Sequence, residues 1–136
     1  MKKTRFTFIY IVAALIVTVS MASRIDQDDW KVPPAAAKMK NPTDPNDADN
    51  KAVGKNLFMQ HCKSCHGKMG KGDGPKAAEL DTPTGDFTTA KFQAQSDGTL
   101  FFKTKEGNGD MPAFGKKIQS DEDIWIIINY LRTLKG

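Results

Sequence analysis

The chain has 136 residues, 26% charged and 39% hydrophobic, which is room for one domain and excludes a disordered tail or a multi-span membrane protein. Two cysteines exclude a disulfide-built scaffold, and eleven glycines and seven prolines follow no repeat. Of the formal charge of +4, Lys2, Lys3 and Arg5 supply three, so the remainder of the chain is near neutral and lacks the basic footprint that nucleic-acid binding requires.

Residues 1–22 read as an export segment. Lys2, Lys3 and Arg5 form its positive start, Phe6 to Val19 its apolar stretch, and Ser20-Met21-Ala22 puts small residues where a signal peptidase cuts. The alternative is an uncleaved anchor, because Phe6 to Ala22 is 17 residues without a charge, the lower edge of a spanning helix. Both readings predict a domain outside the cytoplasm, periplasmic or on the outer face of the cytoplasmic membrane, with residues 6–22 as the means of any membrane association. Residues 23–46 hold four of the seven prolines and predict an extended, mostly solvated linker, with Trp30 and Val32 as its strong apolar features. The folded domain is expected over residues 47–136.

Asp47 to Asn50 offers caps for a first helix that carries Val53, Leu57, Phe58 and His61 on one side. A glycine-rich loop, Gly67 to Gly74, ends at Pro75. Residues 77–94 predict only short helical pieces. Ser96-Asp97 caps a helix to about Glu106, stopped by Gly107, with Leu100 and Phe101 facing inward. In the last helix, Ser120-Asp121-Glu122-Asp123 has the pattern of a capping box, followed by Ile124, Ile127, Ile128 and Leu131 at helical spacing. No convincing strand pair occurs, so the fold class is all-α.

Chemistry is concentrated in His61-Cys62-Lys63-Ser64-Cys65-His66. Cys62, Cys65 and His66 form C-x-x-C-H, the attachment signature of c-type haem. On one helical turn, positions i, i+3 and i+4 share a side. Two thiols there can each bond a haem vinyl group while the adjacent imidazole reaches the iron. The rival readings are weaker. A thiol redox motif expects a βαβ context, zinc sites draw ligand pairs from separated segments, and a Cys62–Cys65 disulfide closes too small a loop to stabilise much.

A sixth iron ligand is expected from Met111, which lies 45 residues after His66, far enough to cross to the opposite haem face. Pro112 biases Met111 toward an extended backbone, and the flanking glycines let the loop lie close to the ring. Thioether ligation favours Fe(II) and raises the potential relative to a second histidine. Met59 is expected to fill the core from the first helix, Met69 is pinned to the wrong face three residues after His66, Met39 is in the linker, and His61 is expected to pack or face solvent.

With C-x-x-C-H at 62–66 and Met-Pro-Ala-Phe at 111–114, the sequence resembles the single-haem class I cytochromes c, above all bacterial small cytochromes and the cytochrome-like subunits of respiratory complexes. Gly70-Lys71-Gly72-Asp73-Gly74-Pro75 and Asp123-Ile124-Trp125 to Asn129-Tyr130-Leu131-Arg132 are similar to further segments of that family. The resemblance implies the class I cytochrome c fold, four or five helices wrapped around one covalently bound haem. It implies that Gly54 and Phe58 of the first helix meet Tyr130 and Leu131 of the last. It also implies that a backbone carbonyl of the Gly74-Pro75 step accepts the His66 Nδ1 proton. The supporting haem pocket is expected from Gly54, Phe58, Pro75, Leu100, Phe101, Pro112, Tyr130 and Leu131.

The expected function is one-electron transfer, not enzyme catalysis, through a covalent haem c whose iron is held by His66 and Met111. Partners are expected among redox proteins or respiratory complex subunits, with Lys63, Lys68, Lys71, Lys103, Lys116 and Lys117 available to steer an acidic one. A fixed subunit of a membrane respiratory complex is the main alternative, and an open-site haem sensor or enzyme a further one.

Overall fold

Helices α1 (Pro34–Ala37), α2 (Ala48–His61), α3 (Lys63–His66), α4 (Ala90–Gln93), α5 (Asp97–Glu106) and α6 (Asp121–Thr133) follow one another in a computed structural model that describes residues 30–136. The segment predicted for export, residues 1–22, and the first part of the linker lie outside the described residues. Single 3₁₀ turns stand at Ala77–Glu79 and Phe114–Lys116, and among the described residues there is no strand, only an isolated bridge between Asn108 and Met111. The fold is therefore all-α. No helix among the described residues is long and apolar enough to cross a membrane.

Local chemistry sets the helix ends. Asp47 Oδ1 accepts from Asn50 N (2.8 Å) to start α2, and Ser96 Oγ accepts from Thr99 N (3.2 Å) to start α5. Gly107, at φ 67°, stops α5 in the left-handed region that favours glycine. The capping box predicted for α6 does not form: Ser120 is the cap residue, but its hydroxyl makes no capping bond. Asp121, Glu122 and Asp123 still place three acids at the positive end of that helix.

α2 packs along α6, and α5 packs against α6 from another side. On α2 the buried residues are Gly54 and Phe58, while Val53, expected on the same side as Leu57, Phe58 and His61, is exposed. Gly54 meets the main chain of Ile126 rather than Tyr130 or Leu131; Phe58 does meet Tyr130, ring centroids 5.2 Å apart. α6 is buried from Ile124 through Asn129 and again at Leu131, more than one face requires.

The remaining side of α6 is covered by the segment expected to be a solvated linker. Residues 30–46 lie on the domain. α1 packs against α5 so closely that a side chain on Gly98 would strike the Ala36 carbonyl. Ser96 Oγ donates to Ala37 O (2.7 Å). Asn41 Nδ2 donates to Asn129 Oδ1 (2.7 Å) and Trp125 O (3.3 Å), and Asn129 Nδ2 donates to Thr43 Oγ1 (2.8 Å). Trp30 receives the Lys103 ammonium 5.6 Å from its ring centroid. The prolines do not keep this segment in solvent because Pro34 sits in the first turn of α1, where its missing N–H costs nothing.

Candidate functional site

Cys62 ends α2 and begins the next turn. Its own N–H donates to Phe58 O (2.8 Å), and its carbonyl accepts from Cys65 N (3.2 Å) and His66 N (3.0 Å). Cys62, Cys65 and His66 therefore stand at i, i+3 and i+4 of one turn, as their spacing predicts. Both thiols are free. Cys62 is buried within the main apolar cluster, whereas Cys65 and His66 are half-buried.

The glycine-rich loop seats this turn. A helix end leaves carbonyls without partners, and here the loop supplies them. Gly72 N donates to His66 O (3.0 Å), Gly74 N to Cys65 O (3.1 Å) and Lys76 N to Ser64 O (2.8 Å). Gly74 lies so close that a side chain would run into the Ser64 and Cys65 main chain.

The acceptor expected for His66 is not there. Nδ1 is buried and has no hydrogen-bond partner, so Gly74-Pro75 engages the backbone of the turn and not the imidazole; Pro75 itself is exposed. The imidazole instead stacks on Phe87, centroids 4.4 Å apart and planes at 29°. Burial pushes the His66 pKa down to about 4, and the Gly85 backbone, acting in the opposite sense, offsets only part of this. The ring is neutral at physiological pH, with a lone pair to offer a metal. Burial, with a smaller contribution from Cys65, pushes the Cys62 thiol up to about 12.

Met111 packs against the same apolar cluster that contains Cys62. Its backbone is pinned by paired bonds, Asn108 N to Met111 O (2.9 Å) and Met111 N to Asn108 O (3.0 Å). Gly107 permits the fold-back, since a side chain there would strike the Met111 carbonyl and the Pro112–Ala113 backbone. Thr82 N donates to Asp110 Oδ2 (3.1 Å), tying this loop to the 80s. Of the predicted pocket residues, Phe58, Leu100, Phe101 and Leu131 belong to the cluster and Tyr130 packs against it, whereas Pro112 is exposed.

Two thiols and a neutral imidazole on one turn, with a thioether packed against the apolar cluster that holds Cys62, suit a covalently bound haem in donor type. Sequence reasoning missed Phe87, Phe92 and Arg132. Arg132 Nη2 donates to Asp97 Oδ1 (2.6 Å) and Gln95 O (2.6 Å), and Nη1 to Gln93 O (2.9 Å), joining the end of α6 to the start of α5. The short spacing of Phe87 and Phe92 in an otherwise polar stretch was the available signal.

A helical frame closed by the α2–α6 crossing, with this turn and loop against its core, is that of a class I c-type cytochrome. Residues 49–131 match the family model described as cytochrome c oxidase, cbb3-type, subunit III, and the chain belongs to that family. It is similar to a chain of the Kuenenia stuttgartiensis reducing HAO-like protein complex Kustc0457/Kustc0458, at 29% identity and TM-score 0.63, over 72% of this chain and 50% of that one. It is also similar to the KustC0563 c-type cytochrome, at 29% identity and TM-score 0.54, over 61% of this chain and 98% of that one. The chain thus spans half the length of the first of these structures. No curated protein matches it. The family carries haem c with its iron and transfers electrons through it.

Proposed function

We propose that this protein is a one-electron carrier with a single haem, bonded as thioethers to Cys62 and Cys65 and ligated at iron by His66 and Met111. The observation that carries the reading is the free thiol pair and imidazole on one turn, with Met111 pinned against the same cluster. When bound, the haem supplies an iron that alternates between Fe(II) and Fe(III). The chain does the rest. Cys62 and Cys65 retain the group, and neutral His66 offers its lone pair without first losing a proton. The paired Asn108–Met111 bonds fix the backbone of the loop that would present the thioether. Phe58, Leu100, Phe101 and Leu131 exclude water, and an apolar surround with sulfur ligation raises the potential.

Export by residues 1–22 to the periplasmic side, retained or cleaved, is part of this reading. The partners are redox proteins that meet the domain at a small, transient interface. A shallow groove beside the Cys62–His66 turn, lined by Lys63, Lys68, Met69 and Pro75, offers such a surface. A second reading, a fixed subunit of a respiratory complex, is favoured by the oxidase subunit in the family description and by the complex named for the first structural relative.

Protein matured with the haem-attachment machinery tests the proposal. Haem should survive acid-acetone extraction and be lost from the Cys62→Ser, Cys65→Ser double variant. The ferric Met–iron absorption band should vanish in Met111→Ala. An unchanged spectrum in Met111→Ala overturns the ligand assignment and favours an open site. Copurification with a membrane oxidase after mild detergent extraction separates subunit from shuttle.

A further inference from the structure

The His66 ring is half-buried, its Nδ1 has no partner, and its ordered contact is with a carbon ring. A ligand histidine ordinarily has its plane fixed by a hydrogen bond from the second ring nitrogen. Here a second kind of contact, with an aromatic ring, joins the Gly85 backbone at the imidazole. We propose that Phe87 is a positioning residue for His66, fixing the plane of the imidazole by stacking on its face. The proposal rests on the axial role of His66 set out above.

Phe87 is itself held from several directions. Its N–H donates to Gly70 O (2.7 Å), and its carbonyl accepts from Gln93 Nε2 (2.8 Å), which also donates to Leu131 O (3.0 Å). Phe92 stacks on Phe87 at the same 4.4 Å as His66. Two rings cannot share one face at that separation, so Phe87 stands between them. Phe58 meets it edge-on at 6.4 Å. Gly70, at φ 71°, leaves room: a side-chain carbon there would stand 3.1 Å from the Phe87 ring. A ring so confined cannot follow a rotating neighbour, and a neighbour stacked at 29° cannot rotate without losing the contact.

Stacking acts on the face of the imidazole and leaves its in-plane lone pair unobstructed. The plane of an axial imidazole determines which iron d orbitals its π system meets, and hence how unpaired spin is distributed over the haem. A leucine at position 87 would fill similar space but present no flat face. Gly85, two residues earlier, brings its backbone toward the same imidazole, so residues 85–87 supply both the polar and the apolar surroundings that the Gly74-Pro75 step does not.

The test uses the haem-loaded protein. In the ferrous wild type, nuclear Overhauser cross-peaks are expected between the Phe87 ring protons and the His66 ring protons. In the ferric state, Phe87→Leu is expected to keep its covalent haem and Met–iron band while redistributing the four haem-methyl shifts and moving the largest EPR g value. Phe87→Tyr, which keeps the flat ring, is expected to restore the wild-type pattern. Missing wild-type cross-peaks, or an unchanged methyl pattern in Phe87→Leu, overturns the proposal while leaving haem attachment intact. If Phe87→Leu fails to mature, the wild-type cross-peaks and Phe87→Tyr decide. His66 ring protons without haem ring-current shifts overturn the axial reading itself, and the proposal with it.

Discussion

Gly54 lies directly against the main chain of Ile126: a side-chain carbon on Gly54 would stand 2.5 Å from the Ile126 carbonyl oxygen. At this point of the α2–α6 crossing the nearest atoms are backbone, which cannot swing aside. Replacing a mid-helix glycine by alanine normally stabilises by up to about 1 kcal/mol. At Gly54 the clash outweighs that gain, because separating the two helices loosens the packing of Phe58, Ile124, Ile127 and Ile128, all with 2% exposure or less. Gly54→Ala is therefore expected to destabilise by roughly 1–3 kcal/mol, read from the denaturant midpoint.

Asn129 is buried beside the apolar run Ile124–Ile128 of α6, and its side-chain hydrogen bonds go to residues 41 and 43. Asn129→Ala leaves Asn41 and Thr43 without those partners and removes the polar lock on the N-terminal segment. The expected cost is about 1–3 kcal/mol. A second readout is limited proteolysis, in which residues 30–46 should become the first site of cleavage. A destabilised variant whose N-terminal segment stays protected would show that α1 on α5 holds the segment by itself.

Neither of these two contacts was readable in the sequence, whereas the site turn and two of the helices were. The turn at 62–66 is set by contacts within five residues, so the motif and its geometry coincide. α5 and α6 were legible from hydrophobic spacing, since a stripe of Ile124, Ile127, Ile128 and Leu131 needs no knowledge of its partner. What covers the other side of α6 was not legible. Trp125, Ile126 and Asn129 are buried by α2, α5 and a proline-containing segment far away in sequence, and composition alone assigns such a segment to solvent. The partner of His66 was missed for a similar reason. Nothing local distinguishes a carbonyl at Gly74-Pro75 from a ring at Phe87, and the choice depends on how the loop between them folds.

Asp86 holds the turn that delivers Phe87. Its Oδ1 accepts from Thr88 N (2.8 Å) and Thr88 Oγ1 (2.7 Å). The Thr88 hydroxyl foremost, then the Thr88 N–H and the charge of Lys71, hold this carboxyl below its ordinary pKa. A depressed carboxylate pKa contributes stability above the unfolded value, and the contribution fades as pH falls through the folded one. Asp86 should therefore titrate below the ordinary aspartate value when followed by NMR. Asp86→Asn, which keeps an acceptor oxygen but has no proton to gain, should remove that part of the acid sensitivity. An Asp86 carboxyl titrating at or above the ordinary aspartate value contradicts these hydrogen bonds.

Charge on this protein matters by place rather than by total. Residues 63–76 carry Lys63, Lys68, Lys71 and Lys76 against a single acid, Asp73, and all four lysines are exposed. Among them Met69 is 61% exposed. Elsewhere the lysines named for steering are partly engaged: Lys103 donates to Gln95 and lies over Trp30, and Lys117 lies over Phe114. A basic rim around an exposed apolar side chain, next to the turn proposed to carry the haem, speeds encounter with an acidic redox protein and lets it settle. Lys68→Glu with Lys71→Glu should lower the association rate with a small acidic electron donor by about tenfold at low salt. The difference should shrink as ionic strength rises and the charges are screened. The same two changes at Lys116 and Lys117 should have a smaller effect, and stopped-flow reduction measured across a salt series distinguishes the two faces. Equal losses from both pairs would mean that net charge, and not this surface, governs the encounter.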